Sequence, residues 1–92
     1  MKLIAVEAMF SPGDKQQAID AVEAQADSAR AMSGCDSYQV YQADKSIAIV
    51  QKWESMEQFD AYRNSNIFAG LIAALKPLMS APPVTTIANV DS

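Results

Sequence analysis

The sequence predicts an α+β fold in which helices cover one face of a four-stranded antiparallel sheet. Two observations lead to this fold class. Apolar residues alternate with a period of two in four segments, and they recur at spacings of three and four in the segments between them. The predicted elements follow the order β-α-β-β-α-β, with the second helix divided in two. This order is the ferredoxin-like arrangement.

The first strand is expected over residues 2–10, and both of its faces are largely apolar. One face carries Ile4, Val6, Ala8 and Phe10, and the other carries Leu3, Ala5, Glu7 and Met9. Such a strand needs cover on both sides. Because the helices cover only one face of the sheet, we expect a second copy of the chain on the other. The sequence thus predicts a homodimer that pairs face to face through its sheets.

The first helix is expected over residues 15–32. Ser11-Pro12-Gly13 ends the preceding strand, and Asp14 is the expected N-cap residue, with Gln17 three positions later. The apolar stripe that faces the sheet contains Ile19, Val22, Ala26 and Ala29.

The middle of the chain predicts a hairpin with strands over residues 37–42 and 46–54. In the first of these strands Tyr38 faces one side and Tyr41 the other, so at most one of them reaches a given cavity. The shared face of the second strand carries Ile47, Ile49, Gln51 and Trp53.

Two short helices and a strand complete the prediction. Ser55 is expected to cap a helix that ends near Arg63, with Gln58 in the reciprocal capping position, and Ser65 caps the next helix. The buried stripe of that last helix contains Phe68, Leu71, Ile72 and Leu75. Pro77 ends the helix, and the final strand is expected over residues 84–90.

Length and charge narrow the functional classes. A chain of 92 residues is expected to form one domain, residues 1–92. Seven Lys and Arg against eleven Asp and Glu give a net charge of −4, without a basic cluster. This balance argues against a nucleic-acid partner and against binding to an anionic membrane surface.

The residue types present in the chain narrow the functional classes further. The single cysteine, Cys35, excludes an internal disulfide, and the lack of histidine excludes Ser–His or Cys–His couples and histidine-liganded zinc. Cys35 is expected to be a buried structural residue, because nothing basic lies beside it in the sequence. No segment has the ~20 apolar residues of a membrane span, and Glu7 interrupts the apolar amino terminus. We therefore expect a cytoplasmic protein.

Four short motifs, in this order along the chain, resemble the antibiotic-biosynthesis-monooxygenase-like family of dimeric α+β barrels. They are Ser11-Pro12-Gly13 before the long helix, Gly34-Cys35-Asp36-Ser37-Tyr38, Trp53-Glu54-Ser55, and Ser65-Asn66-Ile67-Phe68, with Asn66 in place of a frequent proline. Two positions depart from the family pattern. Gln51 stands where Glu is frequent, and Tyr62 stands where His is frequent.

The resemblance implies an oxygenase that uses molecular oxygen on a small aromatic, phenolic or quinol-type molecule, without flavin or metal. Haem-degrading relatives are a poor match, because they bind haem through a helix histidine. A substrate anion that reduces oxygen directly needs an apolar pocket, hydrogen-bond donors for its oxyanion, and a base.

Candidates for these tasks are present. Tyr38 is the expected oxyanion donor, Tyr62 a second donor, and Glu7 the expected base, since burial favours the neutral form of a carboxyl. The substrate-binding residues are expected to be Trp53, Gln51, Phe68 and Leu71.

Each role has a structural alternative. Trp53 suits a core position, Tyr38 a packed site with its hydroxyl at a rim, and Glu7 an ion pair with a lysine or a place at the dimer seam. At the level of function, the alternatives are a non-catalytic, small-molecule-binding or stress-related dimer, and isomerase or lyase chemistry on a related scaffold.

Overall fold

A computed structural model describes residues 1–90 as four strands and three helices. The elements are β1 Lys2–Met9, α1 Lys15–Arg30, β2 Cys35–Gln42, β3 Ser46–Trp53, α2 Met56–Arg63, α3 Asn66–Leu75 and β4 Val84–Asn89. The predicted α+β fold class and the order of its elements are confirmed. The bounds differ by one or two residues, and the predicted Val90 end of the last strand lies just beyond β4.

The four strands form one antiparallel sheet in the order β2-β3-β1-β4. Its register places Tyr38, Gln51, Ile4 and Ile87 in one row across the sheet. Tyr38, Gln51 and Ile4 are buried on the inner face, beneath the helices, whereas Ile87 of the edge strand β4 is 44% exposed. The helices therefore leave the β4 edge of the inner face partly open.

The outer face of the sheet carries no helix within residues 1–90. Its exposed apolar side chains include Tyr41 at 57%, Val84 at 64% and Met9 at 46%. Glu7 lies on this face too, between its register partners Ala48 and Val84. The helices thus cover the inner apolar side of β1, whereas the outer side has no cover in the single protomer.

Serine side chains begin the two shorter helices, as the sequence predicts. The Ser55 hydroxyl accepts from the backbone N–H of Gln58 and donates to its side-chain oxygen, and the Ser65 hydroxyl accepts from the N–H of Phe68. The expected cap at Asp14 is wrong in one respect. Asp14 occupies the N-cap position but its backbone is already close to helical, with φ −102° and ψ −12°, and its side chain makes no capping hydrogen bond.

Candidate ligand-binding site

A cavity of about 280 Å³ lies between the inner face of the sheet and helices α2 and α3. Its apolar walls are Val6, Ala8, Ile49, Phe59, Phe68, Leu71, Ile72, Leu75, Met79 and Pro83. Its polar or charged members are Tyr38, Gln51, Tyr62, Arg63 and Thr85. The volume is near the lower end for ligand pockets, about 300 Å³, so the cavity suits a small, largely apolar molecule.

The amide of Gln51 is held in one orientation. Gln51 is only 2% exposed, and its side-chain oxygen accepts a hydrogen bond of 2.9 Å from the indole Nε1 of Trp53. An indole nitrogen donates and cannot accept, so the Gln51 oxygen must face Trp53. Within residues 1–90 the Gln51 side chain hydrogen-bonds only through its oxygen, and no fully enclosed side-chain nitrogen lacks a partner there, so its amide nitrogen borders open space. Gln51 therefore offers N–H donors at a cavity with mostly apolar walls.

Two tyrosines and a glutamine form a closed ring of hydrogen bonds beside this amide. Nε2 of Gln25 donates to the Val22 carbonyl at 3.0 Å and to the Tyr38 hydroxyl at 2.7 Å. The Tyr62 hydroxyl donates to Oε1 of Gln25 at 3.2 Å. The two hydroxyl oxygens are 3.2 Å apart, and because the hydrogen of Tyr62 is already used, Tyr38 donates to Tyr62. Neither hydroxyl has a hydrogen left for a ligand unless the ring opens.

Burial keeps both hydroxyls protonated. Tyr38 and Tyr62 are each 1% exposed. Desolvation raises the pKa of Tyr38, although its hydrogen bonds with Tyr62 and Gln25 oppose the shift. Desolvation also raises the pKa of Tyr62, and the neighbouring Tyr38 raises it further. At neutral pH both tyrosines are therefore neutral groups that cannot serve as bases.

Packed aromatic rings hold this arrangement in place. The Trp53 and Tyr62 rings stack with centroids 5.3 Å apart and an interplanar angle of 24°. Tyr38 and Phe68 each meet Tyr62 edge to face, at 6.1 and 5.4 Å. Such aromatic contacts favour fixed ring positions and add stabilisation to that which comes from burying the ring surfaces.

The structure brings five of the seven predicted site residues to the cavity. These are Tyr38, Gln51, Tyr62, Phe68 and Leu71. Trp53 is fully buried behind Tyr62 and does not line the cavity, so it reaches a ligand only through Gln51 and Tyr62. Glu7 is exposed on the outer face of the sheet, so the burial expected for it is absent in the single protomer.

Sequence reasoning missed Gln25 and Arg63. Gln25 shares a helical stripe with Ala18, Val22 and Ala29, at spacings of four, three and four, so its spacing alone could have placed it against the sheet. Arg63, the last residue of α2, has no comparable signal. Its guanidinium lies 4.9 Å from the centroid of the Phe59 ring and pairs with Asp60.

Cys35 is half-buried rather than fully buried as expected, and desolvation raises the pKa of its thiol, which makes it a poor nucleophile. No cluster of three or more Cys, Asp or Glu residues within residues 1–90 is suited to hold a metal ion. Over the same residues, every helix is too short or too polar to cross a lipid bilayer.

Comparisons with known proteins give a family match and a set of similar folds. Residues 1–74 match the family model for antibiotic biosynthesis monooxygenases. No curated protein matches the chain.

Solved structures extend the similarity over the whole chain. The Rv0793 protein of Mycobacterium tuberculosis superimposes with a TM-score of 0.91 at 21% identity, over 99% of this chain and 96% of that one. A proposed antibiotic biosynthesis monooxygenase of Nitrosomonas europaea gives 0.93 at 11% identity, over 98% of each chain. A Bacteroides thetaiotaomicron protein of unknown function, described as a possible oxidoreductase, gives 0.87 at 16%, over 95% and 94%. At these identities the superpositions show a common fold only.

Proposed function

The chain belongs to the antibiotic biosynthesis monooxygenase family, and we propose that it is a cofactor-independent monooxygenase of a small aromatic, phenolic or quinol-type substrate. For an anthrone-type substrate, an activated CH₂ group and O₂ become a carbonyl group and water. One oxygen atom enters the product, the other leaves as water, and the substrate supplies all the electrons. The protein's tasks are to bind, desolvate and orient the substrate anion beside oxygen.

The observation that carries this proposal is the fixed amide of Gln51 at an apolar cavity. Its N–H donors hold the phenolate or enolate oxygen of the substrate, and Trp53 keeps them turned toward it. A donor that is already oriented stabilises developing charge without reorganising. The ring of Gln25, Tyr38 and Tyr62 has a positioning role, because its hydrogens are already in use.

The base in this proposal is water rather than a side chain. No carboxylate or imidazole lines the cavity among residues 1–90. Tyr38 and Tyr62 hold their protons, and Glu7 is on the outer face. The substrates that fit are therefore those acidic enough to ionise in water once their anion is stabilised, such as anthrones and hydroquinones.

The proposal includes a homodimer that pairs through the outer faces of the sheets. Tyr41, Val84 and Met9 supply exposed apolar area there, and burying it in a partner removes it from water. The cavity lies on the opposite face of the sheet and stays accessible in such a dimer. A native mass near twice 9.9 kDa at micromolar concentration is expected, and a monomeric mass contradicts the dimer.

Oxygen uptake tests the proposed reaction. Metal-free and flavin-free protein is assayed against anthrones, naphthols and hydroquinones, with autoxidation subtracted. We expect saturable uptake, and Gln51→Met should lower kcat by roughly a hundredfold, the usual loss for one oriented donor. Gln39→Met is the matched control, because Gln39 is exposed on the outer face of the same sheet. If the folded protein takes up no oxygen with any of these compounds, the result contradicts monooxygenase activity.

A second candidate function is non-catalytic binding of the same kind of molecule. The observation that favours it is the absence of a base among the cavity-lining residues of the described chain, together with tyrosine hydroxyls whose hydrogens are already donated to each other and to Gln25. Saturable binding of naphthols without any oxygen uptake supports this candidate over the enzyme.

A further inference from the structure

The charge at the cavity differs in sign from that of the chain. The protein carries a net charge of −4, yet Arg63 is the one charged residue among those described that line the cavity. An adjoining cleft shares Ile72, Met79 and Pro83 with the cavity, and its one charged residue in the described chain is Lys76. No carboxylate lines either space within residues 1–90. The charged side chains that line the two spaces are therefore both cationic, and the carboxylate of Asp60, which pairs with Arg63, lies outside the lining.

From this charge pattern we propose that the ligand carries a carboxylate or a similar anionic group, which the guanidinium of Arg63 binds while the apolar body fills the cavity. This inference rests on the proposed function and narrows its substrates to aromatic acids. Within the proposed substrates, it favours those that carry an acidic substituent over simple phenols and quinols that lack one.

Arg63 is held in place and still has free donors. Its guanidinium packs over the Phe59 ring at 4.9 Å, and Phe59 itself lines the cavity. Nη2 donates to Asp60, and the other guanidinium nitrogens have no partner among residues 1–90. A guanidinium offers five N–H groups in a planar fork that matches a carboxylate. The unpaired edge of Arg63 is thus available to an anion, and its side chain is 45% exposed, so an incoming acid keeps part of its hydration.

Asp60 sets the strength of this site. The carboxylate partly neutralises Arg63 and competes with a ligand carboxylate for the same cation. Its own side chain is 45% exposed, so the pair contributes little to stability and its removal is tolerated. Removing the charge of Asp60 should therefore strengthen binding of an anion without unfolding the protein.

Calorimetric titration with 2-naphthoate and its uncharged analogue 2-naphthamide tests the proposal. At low ionic strength, naphthoate should bind roughly tenfold more tightly than naphthamide, as expected for a charge-assisted hydrogen bond at a partly exposed site. Arg63→Gln should abolish this preference and leave the affinity for naphthamide within about twofold, since only uniform apolar contacts remain. Asp60→Asn should increase the preference.

Lys45→Gln is the matched control, because it removes the same charge from an exposed turn between β2 and β3. It should leave the preference intact. Equal affinity for the two compounds, or a preference that survives Arg63→Gln, overturns the anion site but leaves the apolar cavity and the proposed function standing. If neither compound binds, the anion site is overturned, and the proposed function is then decided separately by the oxygen-uptake assay.

Discussion

The indole nitrogen of Trp53 donates to the side-chain oxygen of Gln51 at 2.9 Å, and both residues are almost wholly buried on β3. Because they are two positions apart on one strand, both side chains point to the helical layer. The pair acts as a unit in which Trp53 fixes which end of the Gln51 amide faces the cavity. Trp53 thereby influences the site without lining it.

Loss of the Gln51 amide should destabilise the fold. Gln51→Met preserves the approximate shape of the side chain but leaves the buried N–H of Trp53 unpaired, which costs about 1–3 kcal/mol. The free energy of unfolding in urea measures this effect. Gln39→Met, on the exposed face of β2, should change it by less than about 0.5 kcal/mol.

A double-mutant cycle separates the hydrogen bond from the packing. Gln51→Met combined with Trp53→Phe removes donor and acceptor together, so its cost should be smaller than the sum of the two single changes by about 1 kcal/mol or more. Strict additivity contradicts the coupling between these two residues.

The closed ring of hydrogen bonds that links Gln25, Tyr38 and Tyr62 should also contribute to the free energy of unfolding. Tyr38→Phe removes one member, so the ring loses two hydrogen bonds, those with Gln25 and Tyr62, at a cost of about 1–3 kcal/mol. Thermal or urea unfolding measures it. Tyr41→Phe is the control on the same strand, since its side chain is 57% exposed and its loss should be nearly neutral. Equal effects of Tyr38→Phe and Tyr41→Phe contradict a stabilising role for this ring of hydrogen bonds.

The fold should lose stability at alkaline pH. The pKa values of Tyr38 and Tyr62 are raised in the folded state above their unfolded value of about 10. The folded protein therefore keeps protons that the unfolded chain releases, so this contribution is fully present below pH 10 and declines as pH rises above it. Urea midpoints measured from pH 8 to about 11 should fall more steeply above 10. The double variant Tyr38→Phe, Tyr62→Phe should show a shallower decline, and an unchanged slope contradicts the assignment.

The sequence predicts the fold well because the fold depends on periodicity. Alternation places Tyr38 and Tyr41 on opposite faces of β2, and the structure confirms this with a buried Tyr38 and an exposed Tyr41. The family resemblance is confirmed as well. The cap at Asp14 could not be judged from residue type, since the backbone there is already helical and the side chain makes no capping bond.

The site is less predictable, because it depends on contacts between distant segments. Alternation does not say which face of β1 the helices cover, so Glu7 was expected in a site and lies on the opposite face. Gln25 bonds to Tyr62, which is 37 positions away. Only its place on the buried stripe of α1 could have indicated it. For Arg63, no local pattern distinguishes a residue beside a cavity from an ordinary exposed arginine.

Gly34, in the turn before β2, tests whether this turn positions α2, and Gly70 in α3 provides the comparison. Gly34 has a φ of +88°, and a Cβ there would lie 2.3 Å from Cδ of Gln58 on α2. Its carbonyl also accepts from the N–H of Glu54 at 2.8 Å, at the end of β3. Gly34→Ala should therefore cost about 1–2 kcal/mol from the left-handed backbone alone, and more from displacing Gln58.

Gly70→Ala in α3 meets no atom within 4 Å and should stabilise the fold by about 0.5–1 kcal/mol, because it removes glycine from a helix interior. Urea denaturation measures both. Opposite signs are the expected outcome, whereas a neutral Gly34→Ala means that this turn does not constrain α2.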